Sequence, residues 1–293
     1  MSASQKPKDV KQGKIPDKYC GQRLDRALEW ILPSWSLRQR RSLWKVTRVW
    51  VEGIARSKGY KVQTGQEVYF VLPRSNAIET AFPFVSWPEL RIVAEHNGFA
   101  ALYKPAGLHC QALDRGKDET LEDALPFLFV NRTVTMLNRL DKATSGLVLL
   151  ALDTGTKEKF YQFQQSGKVS KYYWALVCGE LREEMTCKWK IESSKRRKVR
   201  VNKEENNSYL RWTKVKPMKK LDNNLTLVQA EILKGQRHQI RAHLSFAGFP
   251  IVGDTLYGQA AENDSLLFLH HYQVLMPLFS AKAQPDWPGI SFA

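Results

Sequence analysis

The chain lacks most of what would tie a protein to a membrane, a metal or an oxidising compartment. No apolar run approaches the length needed to span a bilayer, and no long helix sets basic residues opposite apolar ones as an interfacial anchor would. The opening residues, Met-Ser-Ala-Ser-Gln-Lys-Pro-Lys, have no apolar core for a secretory signal. The 4 cysteines, Cys20, Cys110, Cys178 and Cys187, are scattered and form no CxxC pair. That argues against a disulfide framework or a zinc site and fits a reducing cytoplasm. His238 and His243 have neither the glutamate nor the spacing of HExxH, so no metal is expected. No internal repeat recurs at fixed period. Acidic residues are also short: 29 against 45 lysines and arginines, a net charge of +16. Self-repulsion of that size weakens a compact state and is usually kept for a polyanionic partner, of which nucleic acid is the leading candidate.

What is present divides the chain. Residues 1–17 are lysine-rich, contain prolines and show no apolar period, so a flexible basic arm is expected. From Gly21 onward, Leu24, Ala27, Leu28, Ile31 and Leu32 recur at helical spacing until Pro33. Ser36 can cap a second helix, Leu37 to about Val46, whose outer face carries Arg38, Arg40, Arg41 and Lys45. Arg48-Val-Trp-Val-Glu-Gly-Ile reads as strand and turn, and Gly65 to Leu72 as a further strand. Two short helices with a basic face beside a hairpin-rich sheet resemble the S4 RNA-binding domain. The likeness rests on Arg23-Leu-Asp-Arg-Ala-Leu and on the Val-Glu-Gly turn, and it implies RNA contacts at Arg38, Arg41 and Lys45.

Pro73 to Pro88 is an aperiodic connector, which puts a domain boundary near residue 75. Beyond it, short apolar runs at 90–93, 99–103, 147–152, 173–177, 225–232 and 266–269 alternate with turns. Only 120–128, 156–165 and 237–246 read as helices. Many strands and few helices, without βαβ regularity, predict an α+β chain. A small α/β domain at 18–75 would precede a mixed, largely antiparallel sheet domain with flanking helices at 76–293.

The chemistry concentrates in Asn138-Arg-Leu-Asp-Lys-Ala-Thr-Ser-Gly-Leu-Val-Leu-Leu-Ala151. Its second half is a buried strand by composition; its first half is a polar turn, where a rigid scaffold can present a reactive side chain. Arg-Leu-Asp-x-x-Thr-Ser-Gly-Leu closely resembles the catalytic signature of the RluA-type pseudouridine synthases. The resemblance implies that Asp141 is the nucleophile and that Arg139 helps fill the space of a flipped base. Asn138 stands where many members carry histidine, so it is expected to modify that contact.

Three further runs resemble the same family. Tyr103-Lys-Pro-Ala-Gly matches its first motif except at Tyr103, and Lys104 is expected beside the substrate, in a segment that holds the catalytic loop. Lys171-Tyr-Tyr-Trp-Ala-Leu-Val aligns Tyr173 with the family tyrosine that stacks on uracil and is implicated in proton chemistry at C5. Strand alternation puts Lys171, Tyr173 and Ala175 on one face and Tyr172 on the other. Gly235-Gln-Arg-His-Gln-Ile-Arg-Ala-His-Leu resembles the third motif, in which Arg241 would pair with the catalytic aspartate. Arg237 is displaced by one residue from the family pattern; it is expected to contact phosphate and, on a helix, to share a face with Arg241. The dense run Lys195-Arg-Arg-Lys-Val-Arg200 reads as part of a basic hairpin beside the site.

The resemblance implies isomerisation of uridine in RNA, with no cofactor, and ribosomal RNA rather than transfer RNA as substrate. A monomer is expected. One rival reading is a non-catalytic RNA-binding or assembly protein that kept the fold. Another is a nucleoside glycosidase, which would want a second acid; Asp114, Asp153 and Asp254 do not announce one.

Overall fold

The computed structural model describes residues 9–72, 89–112, 119–129, 132–192, 197–258, 266–287, 289–290 and 292. Two compact units emerge, one built from residues 1–88 with 111–134 and the other from 89–110 with 135–293.

The first unit holds strands β1 (Asp9–Lys14), β2 (Trp50–Val51), β3 (Ile54–Ala55) and β4 (Glu67–Leu72) with helices α1 (Leu24–Ala27), α2 (Leu37–Val46) and α3 (Leu121–Leu128). The sheet order is β1-β4-β2-β3. β4 buries alternate residues, Val68, Phe70 and Leu72, as a strand with one wet face must, and Leu24, Leu28 and Leu43 of the helical segments are fully buried. Glu52 and Gly53 both take positive φ between β2 and β3, the backbone that a two-residue hairpin turn demands. α2 opens with a reciprocal capping box between Ser36 and Gln39.

Three expectations change here. The arm is shorter than 17 residues: Asp9–Lys14 is β1, registered antiparallel on β4. Unpaired edge groups of β4 favour such pairing even for a polar segment. The run ending at Leu32 is α-helical only to Ala27 and continues as a 3₁₀ turn, Leu28–Trp30. α3, expected in the second domain, groups with the first unit, where Arg38 of α2 meets Asp123 at 2.9 Å and Trp35 packs on Phe127. Residues 1–8 and the connector around residue 75 lie outside the described residues.

The second unit is organised on one large sheet. Its strands are β5 (Arg91–His96), β6 (Phe99–Lys104), β7 (Thr135–Met136), β8 (Ser145–Ala151), β9 (Ser170–Cys178), β10 (Met185–Cys187), β13 (Thr213–Leu221), β14 (Leu225–Ile232), β15 (Leu269–Met276) and β16 (Phe279–Lys282). The main order is β10-β13-β14-β9-β15-β8-β6-β5. Every pairing is antiparallel except β15 with β8. A separate hairpin, β11 (Trp189–Glu192) with β12 (Arg200–Glu205), carries the basic stretch; Lys195 and Arg196 lie outside the described residues.

β8 is buried along its full length, which explains why its sequence reads as a continuous apolar run. Helix α4 (Thr154–Gln165) is capped by Asp153 and buries Phe160 among Phe99, Leu147, Leu149 and Val169. The expected run at 266–269 gives way to β15, which starts only at Leu269 and continues to Met276 through the buried His270 and His271. Burial pulls their pKa values down to about 4 and about 3. Helix α5 (Gln239–Phe246) begins two residues later than expected, since His238 is left-handed at φ 56.

Candidate active site

The loop ahead of β8 is fastened on both sides of Asp141. β6 and β8 are antiparallel neighbours with Lys104 opposite Gly146, so the loop preceding β8 returns beside the turn that follows β6. Lys104 is wholly buried and donates to the carbonyls of Pro105 and Leu108 at 2.8 Å and of Lys142 at 3.3 Å. Burial lowers its pKa to about 8. Gly107 N–H donates to the same Lys142 carbonyl at 2.8 Å. On the other side, Cys110 Sγ accepts from Leu140 N–H at 3.2 Å. Thr144 N–H closes the turn onto Asp141 O at 3.1 Å. A buried ammonium needs oxygen partners, and Lys104 finds them in the loop backbone, holding the loop as expected.

Gly146 follows at φ +113, and the His271 backbone of β15 occupies the space a Cβ would need. The one parallel pairing of the sheet therefore requires glycine in the Thr-Ser-Gly run. Ser145 Oγ bonds His270 Nδ1 at 2.8 Å. Asn138 spends its amide on β8: Oδ1 accepts from Leu149 N–H at 2.6 Å and Nδ2 donates to Leu147 O at 3.4 Å. In the structure its amide supports the β8 backbone. Arg139, next along, is exposed.

Asp141 is the partly open end of a buried ionic chain. Its Oδ2 accepts from Arg241 Nη1 at 2.9 Å, while the Asp141 side chain keeps 24% exposure and that of Arg241 only 6%. Arg241 Nε and Nη2 form a bidentate pair with Asp254 at 2.8 Å each. Asp254 Oδ1 also accepts from Leu256 and Tyr257 N–H at 2.9 and 3.0 Å. Burial would raise the Asp254 pKa, but Arg241 and these amides outweigh it and hold it below the usual carboxylate range. Burial likewise works against the Arg241 cation, and the two aspartates outweigh it and raise its pKa. Asp141 Oδ1 has no hydrogen-bond partner among the described residues.

Tyr173 lies on β9, 6% exposed and stacked on His271 with centroids 4.6 Å apart and planes 15° apart. Burial first, then the Asp141 charge and Cys110, push its pKa well up, so it stands as a neutral phenol. Lys171 shares its face and is 3% exposed, whereas Tyr172 turns to the opposite face and meets Tyr272.

The structure thus brings Asp141, Arg241 and Tyr173 together. It does not bring Arg237 onto the Arg241 helix face, because the left-handed His238 intervenes and leaves Arg237 exposed before α5. In the other unit, Arg38 pairs with Asp123 and Arg41 Nε with Asp25 at 2.7 Å; the Lys45 side chain lies outside the described residues. Sequence reasoning passed over Asp254, and it treated His238 only as a failed metal ligand. Yet His238 Nε2 lies 3.7 Å from Asp141 Oδ2, and its Nδ1 is 3.0 Å from Tyr257 Oη. The run Gly253-Asp-Thr-Leu-Tyr257 carries both the missed acid and this tyrosine, and a search for a buried partner of Arg241 would have found it.

A carboxylate with one oxygen held by a buried cation and the other open can act as a nucleophile or stabilise positive charge. A neutral phenol near enough to feel the Asp141 charge offers an aromatic ring and a hydrogen bond.

Comparison with known proteins covers this region. Residues 98–246 match the RNA pseudouridylate synthase family profile, about half of the 293 residues. Ribosomal large subunit pseudouridine synthase C of Rickettsia bellii is 33% identical over 187 residues, 63% of this chain and 60% of that protein. The chain therefore spans less than two thirds of that relative's length. Ribosomal large subunit pseudouridine synthase D of Nitrosomonas europaea is 28% identical over 273 residues, 90% of this chain and 77% of that protein. Among solved structures, human RNA pseudouridylate synthase domain containing 1 superposes with a TM-score of 0.56 at 22% identity, covering 69% of this chain and 84% of that one. That likeness bears on the fold alone. The profile match takes in the loop of Asp141, the strand of Tyr173 and the helix of Arg241, and by its extent this chain belongs to the RNA pseudouridylate synthase family.

Proposed function

We propose that this chain isomerises uridine within RNA to pseudouridine, with Asp141 as the nucleophile. The N1–C1′ bond breaks, the base turns, and C5 bonds to C1′ as its proton leaves and N1 gains one. The observation that carries the reading is the asymmetric Asp141 carboxylate, Oδ2 held by Arg241 and Oδ1 open. Arg241 fixes Oδ2 with a charge-assisted hydrogen bond, which orients the carboxylate for nucleophilic attack or charge stabilisation at the sugar. Tyr173 would lie against the uracil ring, and Arg139 would fill the gap left in the stack, since a base inside a helix is out of reach of any side chain. Arg237, exposed just before α5, would take phosphate.

In this reading residues 18–75 form an S4-like RNA-binding domain and Arg38, Arg41 and Lys45 supply part of the grip. The net charge of +16 and the names of the relatives favour ribosomal RNA. The chain would act as a cytoplasmic monomer without metal or cofactor. The test maps pseudouridine in total RNA from cells with and without the gene, complemented by wild type or Asp141→Asn. A site lost on deletion and restored only by wild type supports the reaction and names the substrate. RNA binding by the pure protein with no site changed would favour a non-catalytic binder.

A further inference from the structure

His238 is the residue of the site that neither the ionic chain nor the base-binding face uses. Its backbone is left-handed at φ 56, a conformation non-glycine residues seldom adopt, and its side chain supplies no cap to α5. That turn aims the imidazole at Asp141, where its side chain is 11% exposed.

The hydrogen bonds around it suit one tautomer. Tyr257 Oη accepts from Val199 N–H at 2.8 Å and lies 3.0 Å from His238 Nδ1, where its own proton can be donated to the ring nitrogen. With Nδ1 an acceptor, a neutral imidazole carries its proton on Nε2. Burial lowers the His238 pKa below 6.5, against the pull of Asp141, so the ring is neutral at physiological pH. Nε2–H then faces Asp141 Oδ2 at 3.7 Å, the oxygen that Arg241 already holds. This is longer than a hydrogen bond, as contacts in a ligand-free site often are.

We infer that His238, set in its Nε2–H tautomer by Tyr257, is a positioning residue that pins Asp141 Oδ2 and so turns Oδ1 toward the reacting carbon. The inference rests on the function proposed above. It gives Tyr257 a role through its hydroxyl as well as its ring, which lies 5.4 Å from the Arg241 guanidinium. It also ties the site to the basic hairpin, because Val199 immediately precedes β12 and donates to Tyr257. Lys198, beside it, stands over the same ring at 4.9 Å. RNA seated on Lys198 and Arg200 would bear on the bond that sets the tautomer.

Two measurements on the full chain test this. The first reads the tautomer without turnover: long-range ¹H–¹⁵N correlation of the imidazoles, with His238 assigned by its loss in His238→Gln. Nε2 should be protonated and Nδ1 not, and Tyr257→Phe should shift the balance toward Nδ1–H. The second is turnover on RNA from cells lacking the gene. His238→Ala should lower kcat roughly 10- to 100-fold with KM within about twofold, as general positioning losses do. Tyr257→Phe should fall between, and His238→Gln, which keeps an N–H donor, should recover part of the loss. An active wild type whose His238 is protonated on Nδ1 overturns the inference, as do variants with full kcat or an equal change in RNA affinity. A wild type that makes no pseudouridine overturns the proposed reaction, and the role of His238 with it.

Discussion

Each unit contains an arginine–aspartate cluster, and the two are built inside out relative to each other. In the first unit the aspartate is buried: Asp25 is 0% exposed, and Arg23 and Arg41, at 45% and 44%, reach it from the surface. In the second unit the arginine is buried at 6% and Asp141 is the exposed end at 24%. The deep acid, Asp254, balances the cation from below. The exposed member decides what a cluster offers to a partner. The first presents guanidinium groups, suited to phosphate; the second presents a carboxylate, suited to attack on carbon. In both, the buried member has its charge met by bonds within its own unit, as burial requires.

The comparison is broken most completely at the exposed acid. Asp141→Asn is expected to reduce pseudouridine formation by at least about 10³-fold, as removal of a nucleophile does, with RNA affinity and unfolding midpoint nearly unchanged. Mass-spectrometric nucleoside analysis reads the first and filter binding the second. Unchanged turnover would remove Asp141 from the chemistry.

At the buried cation the expected effect moves from activity to stability as well. Arg241→Gln leaves Asp254 without its cation, and breaking a buried pair this way costs about 3–5 kcal/mol. Denaturant unfolding should show that loss, whereas Asp141→Asn should not; equal losses would mean the clusters are not organised as described.

The pH dependence separates buried histidines from buried acids. His270 and His271 have folded values of about 4 and about 3 against 6.5, so folding favours their neutral forms. Their contribution is fully present above 6.5 and is lost as pH falls toward the folded values, at about 1.4 kcal/mol per pH unit for each site. Asp25 and Asp254 are held below the ordinary 3.8 by their arginines, although burial alone would raise them. Their contribution is present above 3.8 and fades only below it. Unfolding free energy should therefore decline from about pH 6.5, well before the carboxylates titrate. His271→Asn should roughly halve the slope of that decline, since His270 still titrates over the same range, and a curve flat down to pH 4 would contradict the burial of these rings.

The smallest expected effect is at the exposed guanidinium. Arg41→Gln should weaken RNA binding a few-fold and lower the salt slope by about 1, leaving kcat unchanged. A change in kcat without a change in binding would put Arg41 outside the grip on RNA.

The strand at β4, the continuous apolar run of β8 and the Ser36 cap of α2 were legible, because local patterning follows burial directly. Two features were not. β15 was read only to Leu269, since Leu-His-His-Tyr-Gln carries no apolar run; its burial shows only once both histidines are bonded to backbone carbonyls. α3 looked like part of the domain in which it lies by sequence, and only its contacts with α2 group it with the first unit. At the site, Asp141, Tyr173 and Arg241 were readable from motif and alternation. The backbone bonds of Lys104 and Asn138 were not legible, because a polar side chain that serves backbone groups has the same letter as one that serves a substrate.

The sequence by itself determined the class of chain, the strand-rich second half, the polycationic character and the family signature around Asp141. These depend on composition and on spacing along the chain, which folding does not alter. Only the tertiary structure decided that Asp254 holds Arg241, that one oxygen of Asp141 has no hydrogen-bond partner among the described residues, and that His238 faces the other. Asp141 and Arg241 are 100 residues apart and meet through the side chains of a buried ionic chain. The energy of such a chain depends on distance and burial, and neither is written in local sequence.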